Sequence, residues 1–299
     1  MIYEWLRARP IVAGIMGAAI IAFSGILVRL ADVEPETAAV FRCLYAVPVL
    51  AVLARAETKR FGPRPRRERL LGVLAGAFFA ADLIFWHHSI NDVGAGLATV
   101  LANLQVVLVA FIAWALLGEQ PDRRMFVAVP VALFGAVLIS GLFEASAFGS
   151  DPARGTIFGG LATLAYSGFL LILRQTNTNV LRPAGPLLDA TASAAIVALL
   201  VGGSYGAVDP VPAWPAHGWL LLMALSSQVV GWLLISISLP RLPAAVTSLL
   251  LLIQPVSSVV LAALILGEDP TLLQILGVAL ILAVVVFAAG RRREARPVG

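Results

Sequence analysis

Residues 104–121 read LQVVLVAFIAWALLGEQP, and residues 253–270 read IQPVSSVVLAALILGEDP. The two stretches align without a gap. Gln105 matches Gln254, Val107 matches Val256, Ala113 matches Ala262 and Leu117 matches Leu266. Gly118, Glu119 and Pro121 match Gly267, Glu268 and Pro270, so both apolar runs close on a Gly-Glu-x-Pro turn. Upstream, Ala22-Phe23-Ser24-Gly25 resembles Ala165-Tyr166-Ser167-Gly168, in the same order. The chain therefore reads as a duplication, with residues 1–145 as the first copy and 146–299 as the second.

Working outward, ten apolar runs are expected at about 11–30, 36–54, 70–90, 94–117, 124–142, 155–174, 184–205, 216–238, 244–266 and 271–290. Each suits a helix of about 20 residues crossing a hydrocarbon core of about 30 Å. A spanning segment must satisfy its own backbone hydrogen bonds, which favours helices, and the short alternating segments of a β-barrel are missing. Composition agrees. The 299 residues are 60% hydrophobic and 13% charged, against roughly 45–50% and 25% in soluble domains. Mean hydropathy is +0.94. Ten spans leave no room for a separate soluble domain. The first run is longer than a signal-peptide core and is read as the first helix.

Charge sets the orientation. Arg55, Lys59, Arg60, Arg64, Arg66, Arg67 and Arg69 lie between the second and third runs, and Arg291, Arg292, Arg293 and Arg296 lie in the tail. An even number of spans puts both clusters on the cytoplasmic side, with both termini, as the positive-inside rule asks. Arg7, Arg9, Arg123, Arg124, Arg174, Arg182 and Arg241 then fall inside too. Asp32, Glu34, Glu36, Asp92, Glu144, Asp151, Asp209, Glu268 and Asp269 fall outside. The basic pI of 9.8 thus reflects membrane topology, and no nucleic-acid partner is expected. Five helices per copy is an odd number, so the second copy is inverted. Inverted repeats around a midplane site are a recurring design of secondary transporters.

Few ionisable residues lie within the spans, and each faces protein or water there. Arg42 and Asp82 are the candidates for a coupling or a structural charge. They line a cavity and meet a zwitterion, or they pair with each other, or Arg42 snorkels outward. Helical spacing puts Phe78, Asp82, Trp86 and Ser89 on one face of the third helix. The same spacing groups Thr99, Asn103, Ala110 and Trp114 on the fourth, and Thr247, Gln254, Ser258 and Ala262 on the ninth. His87 and Tyr166 complete the candidate cavity set. Polar groups among aromatics suit an amphipathic metabolite; ordinary interhelical hydrogen bonding explains many of the same residues. Asp189 reads as interfacial, and Trp5, Trp214 and Trp219 as aromatic-belt anchors. Pro48, Pro130 and Pro255 can kink their helices. Gly72-x-x-x-Gly76 and Gly155-x-x-x-Gly159 permit close helix contact within the chain, or between two copies of it; a monomer is the simpler expectation.

Cys43 is the lone cysteine, so no disulfide framework or thiolate site is expected, and no metal. No phosphate-cradling loop marks an ATPase motor, and no cofactor is expected. Asp82, His87 and His88 leave a membrane enzyme as one alternative; a scaffolding membrane protein is another.

The Leu-Gly-Glu-x-Pro turns, the run Ala81-Asp82-Leu83-Ile84-Phe85-Trp86-His87-His88-Ser89-Ile90 and Leu101-Ala102-Asn103-Leu104 resemble the EamA branch of the drug/metabolite transporter superfamily. That resemblance implies a basket of ten helices around a central cavity. It implies export of a small-molecule substrate, an amino acid or related metabolite, across a bacterial inner membrane. The aromatic amino-acid exporters are the comparison it suggests, with export of drugs or other metabolites as the rival. The first run carries no acidic residue, so the intramembrane-glutamate exchange of small multidrug pumps does not carry over. Lys59 is the lone lysine, which disfavours the phosphate esters that relatives hold with lysines.

Overall fold

The computed structural model describes residues 9–118, 123, 125–176, 182–238 and 244–289. Among them the chain is all-helical. Helix α1 runs Pro10–Ala22 and continues as Ser24–Ala31; α2 is Pro35–Phe61 and α3 is Arg66–Val93. Helix α4 comes in two pieces, Ala95–Ala102 and Gln105–Leu117, and α5 is Met125–Ile139. In the second half, α6 is Pro152–Thr176 and α7 is Ala184–Ser204. Helix α8 runs Ala216–Met223, passes through a π-helical stretch, Ala224–Gly231, and resumes at Trp232–Ser238. Helix α9 is Ala244–Leu261 with a π-helical end, Ala262–Leu266, and α10 is Leu272–Ala289. Among the described residues six helices are long and apolar enough to cross a membrane, and four shorter apolar helices accompany them. The protein is a polytopic membrane protein.

Local chemistry sets the ends. Pro10 and Pro35 open their helices, where a missing N–H costs nothing. Gly118 and Gly267, the matched glycines of the two Gly-Glu-x-Pro turns, both take left-handed backbone, with φ +70° and +67°. A side chain disfavours that conformation, which is why both copies keep glycine there.

Two features depart from the expected spans. The basic segment 55–69 is helical over most of its length, leaving only 62–65 between α2 and α3. Lys and Arg are good helix formers, and their long stems let the helices run past the apolar core. Helix α4, expected as one run, breaks at Asn103 and Leu104. Asn103 donates its side-chain amide to the Thr99 carbonyl at 2.8 Å, and its own N–H turns to Val100. A side chain that competes for backbone groups disturbs a helix in this way.

Packing shows the internal symmetry. Exchanging α1 with α6, α2 with α7, α3 with α8, α4 with α9 and α5 with α10 maps the main interfaces onto one another. The α3–α6 interface becomes α8–α1, α3–α7 becomes α8–α2, and α4–α6 becomes α9–α1. The α2–α7, α4–α9 and α5–α10 interfaces map onto themselves. At the last of these, a Cβ on Gly135 would meet the Gly277 carbonyl at 2.9 Å and Ile281 at 2.9 Å. A Cβ on Gly277 would meet the Gly135 carbonyl at 2.6 Å and Ile139 at 3.0 Å. The contact is reciprocal, as a twofold axis between the halves requires. The glycine pairs singled out in the sequence are spent inside the chain. Gly72 and Gly76 lie against Asp189, Ala190 and Ser193 of α7; Gly155 and Gly159 lie against Asp92, Val93 and Leu101.

Chain direction distinguishes two ends of the bundle. At the basic end, Ser238 donates to the Pro10 carbonyl at 2.7 Å, and Glu57 accepts from the Ala184 and Gly185 amides at 2.9 Å each. Arg64 pairs with Asp189 at 2.7 Å there, so Asp189 sits in an ion pair at a helix end. At the far end, Arg154 forks onto Asp92 at 2.8 and 2.5 Å. The arginines at 291–293, Arg241, Trp5 and the first Gly-Glu-x-Pro turn beyond Gly118 lie outside the described residues.

Candidate functional site

Helices α2, α3, α6, α7 and α8 bring one arginine into the buried centre. Arg42, on α2, is 3% exposed. Its Nε donates to Gln228 Oε1 at 3.1 Å, and Gln228 Nε2 donates onward to Thr191 Oγ1 at 3.0 Å. The guanidinium carbon lies 6.0 Å from the Phe79 ring centre and 5.8 Å from that of Trp86. Both are within cation–π range. Phe79 stacks on Phe169 at 4.6 Å. Trp232 closes the box edge-on, with ring centres 6.1 Å from Phe79, 5.5 Å from Phe169 and 6.3 Å from Tyr166.

The box holds two unsatisfied donors. Arg42 Nη1 and Trp232 Nε1 are buried without a hydrogen-bond partner. Asp82, also buried, lies three residues after Phe79 and four before Trp86 on α3. It bears electrostatically on Arg42 and Tyr166, yet no direct ion pair joins it to Arg42. Burying an ion costs several kcal/mol unless a partner compensates it closely. A buried guanidinium and a buried carboxyl that influence each other electrostatically without a direct ion pair are therefore an arrangement that a bridging ligand can complete.

The other sequence candidates fall elsewhere. Phe78 is 40% exposed with its ring over Gly168, while its neighbour Phe79 enters the box. Ser89 donates to the Gly155 carbonyl at 2.8 Å and fastens α3 to α6. His87 Nδ1–H donates to the Pro35 carbonyl at 3.0 Å, and its Nε2 is buried without a partner. Thr99 and Ser258 meet at 3.1 Å across the α4–α9 crossing, and Asn103 bonds within α4. Gln254 is half-buried beside Pro255 on α9. Trp114 is exposed, and the side chains of Ala110 and Thr247 lie outside the described residues. The sequence faces thus separate into a buried central cluster and a polar helix crossing.

Gln228, Thr191, Phe79, Phe169 and Trp232 were not among the sequence candidates. A signal existed for two of them. Gln228 is a polar residue in an apolar span, with Trp232 one turn beyond. The π-helical stretch that carries Gln228 has no sequence signature, although such widened turns recur at functional sites.

A second polar site lies at the far end. Glu268 accepts from the Ala95 amide at 2.6 Å and the Gly96 amide at 3.0 Å, capping α4 from the other half of the chain. A Cβ on Gly94 would come within 2.8 Å of this carboxylate, so the site requires glycine. Burial pushes the Glu268 carboxyl above its ordinary range, against the pull of the two amides. A cleft of about 350 Å³ opens beside it, lined by Arg29, Asn91, Gly94, Phe148 and Glu268. Elsewhere, Tyr205 donates to Glu36 at 2.6 Å, and burial together with that carboxylate pushes its hydroxyl up to about 12.

The EamA-like transporter family matches the sequence twice, at residues 8–141 and 154–290. The chain belongs to the EamA-like transporter family. It is a membrane transporter of the drug/metabolite type, and both arms of its internal symmetry are EamA units. No curated protein matches this EamA chain closely enough to stand as a relative. A solved crystal structure of a protein superposes with a TM-score of 0.64, covering 96% of this chain and 100% of that one at 16% identity. That likeness speaks for the EamA fold alone.

Proposed function

We propose that this EamA protein exports amino acids, aromatic or other apolar ones among them, or related small metabolites by alternating access. The observation that carries the reading is the buried, unjoined pair Arg42 and Asp82 beside an aromatic box. A zwitterion presents its carboxylate to Arg42 and its ammonium to Asp82, and so compensates both buried charges at once. Phe79, Phe169, Tyr166 and Trp232 offer flat apolar walls for its side chain. The remaining candidates, Phe78, Trp86, His87, Ser89, Thr99, Asn103, Gln254 and Ser258, contribute to the walls and to the helix contacts around them.

In this reading the halves 1–145 and 146–299 rock about the twofold axis. The basic end faces the cytoplasm, both termini are cytoplasmic, and the protein works as a monomer in a bacterial inner membrane. The outward direction rests on the resemblance to exporters, and the orientation of the two ends on the basic charge bias. Proteoliposomes loaded with radiolabelled L-phenylalanine test it. Efflux should be saturable and faster than from empty vesicles, and Arg42→Ala should lower it at least about tenfold, as loss of a charged hydrogen-bond partner does. No saturable flux of any amino acid sinks the reading.

A further inference from the structure

We infer that Arg42 Nη1 and Trp232 Nε1 together bind the carboxylate of the transported amino acid, with Gln228 as the positioning residue. The inference rests on the amino-acid reading above. Both nitrogens are buried donors without an acceptor, and both side chains lie about 6 Å from the same Phe79 ring. Gln228 and Trp232 are four residues apart on α8, the spacing that puts two side chains on one helix face. Gln228 fixes the guanidinium through Nε, and its own amide is spent on Thr191. Its carbonyl accepts from Nε and does not bond Arg42 Nη1 or Trp232 Nε1. Arginine, tryptophan and the glutamine amide supply donors only, so the missing partner must bring acceptors.

A carboxylate fits that need. It is acceptor-only, carries two oxygens and offsets the buried positive charge. An amine or a hydrocarbon supplies no acceptor oxygen and no charge compensation here. Asp82 then takes the ammonium end, and the Phe79–Phe169 stack takes the side chain. Trp232 is in this account a specificity-determining residue and not merely an aromatic wall.

The test measures binding to the purified full-length protein in nanodiscs. L-Phenylalanine is compared with 3-phenylpropionate, which lacks the ammonium, and with phenethylamine, which lacks the carboxylate. Trp232→Phe keeps an aromatic ring and removes the N–H. It should weaken L-phenylalanine and 3-phenylpropionate about tenfold while leaving phenethylamine within about twofold. Gln228→Met, which frees the guanidinium, should show the same ligand preference. Equal weakening of all three ligands by Trp232→Phe overturns the inference, because ring packing alone explains it. Unchanged L-phenylalanine affinity in that variant overturns it as well, while the transport reading stands. If the unmodified protein binds no L-phenylalanine, the amino-acid reading falls and takes this inference with it.

Discussion

Asp82 separates a structural charge from a working one. Were it a closely paired partner of Arg42, removing its charge would leave an uncompensated buried cation and cost about 3–5 kcal/mol. The two side chains do not join, so Asp82 is instead a buried carboxyl without a hydrogen-bonded counter-ion. Asp82→Asn should therefore leave thermal unfolding in detergent unchanged, or raise its midpoint, while amino-acid efflux falls at least about tenfold. A large loss of stability would show that the pair is architectural. Arg42 and Asp82 were legible in the sequence because an ionised group in an apolar run stands out. Thr191 was not, and Gln228 and Trp232 only faintly, for physical reasons. A neutral amide, a hydroxyl and an indole are ordinary in spans, and only the fold shows that their bonds form a chain to Arg42. The choice of Phe79 over its neighbour Phe78 was hidden because helical spacing gives a face and not its partner. Phe78, Asp82 and Trp86 share a stripe, yet the ring three residues before Asp82 is the one that turns to Arg42.

Helix boundaries were read best from apolar runs where proline or glycine marks them, and missed where basic residues carry a helix past its apolar core, as in α2. Pro35, Gly94 and Gly267 sit at ends for backbone reasons that the sequence carries openly. The break in α4 was not readable, since it depends on which carbonyl the Asn103 amide reaches. The α5–α10 crossing was hidden too. Gly135 and Gly277 stand in similar local sequence, Phe134-Gly135-Ala136 and Leu276-Gly277-Val278, but only the packed halves show them face to face. That crossing makes a prediction. A methyl on Gly277 would sit 2.6 Å from the Gly135 carbonyl, and backbone cannot yield as a side-chain tip can. Gly277→Ala should destabilise the protein by about 1–3 kcal/mol, the usual cost of overpacking. Gly160 faces open space on α6, so Gly160→Ala should stay within about 0.5 kcal/mol of the parent. Denaturation of both variants in the same detergent gives the comparison, and equal losses would refute the reciprocal packing.

Two carboxylates close the two ends of the molecule, and each reaches across from one half to the other. Glu268 of the second half caps α4 at the far end, and Glu57 of the first half caps α7 at the basic end. Alternating access needs one end to part while the other holds. Losing either cap should therefore move the balance between open forms in opposite directions. A reporter follows from the far-end cleft. Asn91 lines it, and Cys43 is buried and replaceable by alanine, so Asn91→Cys in a Cys43→Ala background gives a single accessible thiol. Adding Glu268→Ala should speed labelling by a membrane-impermeant maleimide several-fold, since it removes the acceptor of the Ala95 and Gly96 amides, and a buried donor left unsatisfied costs about 1–3 kcal/mol. Adding Glu57→Ala should slow it. The pH dependence of labelling has a definite sign. Burial raises the Glu268 carboxyl above its ordinary 4.5, so the closed end binds the proton more tightly than the open end does. Closure is then favoured in full below 4.5 and weakens as pH rises through the raised value. Labelling should accelerate with pH over that window, after correction for the thiol's own ionisation, and Glu268→Gln should flatten the curve. A curve of opposite slope would mean that the Ala95 and Gly96 amides outweigh burial and that the charged carboxylate is the form that holds the end shut.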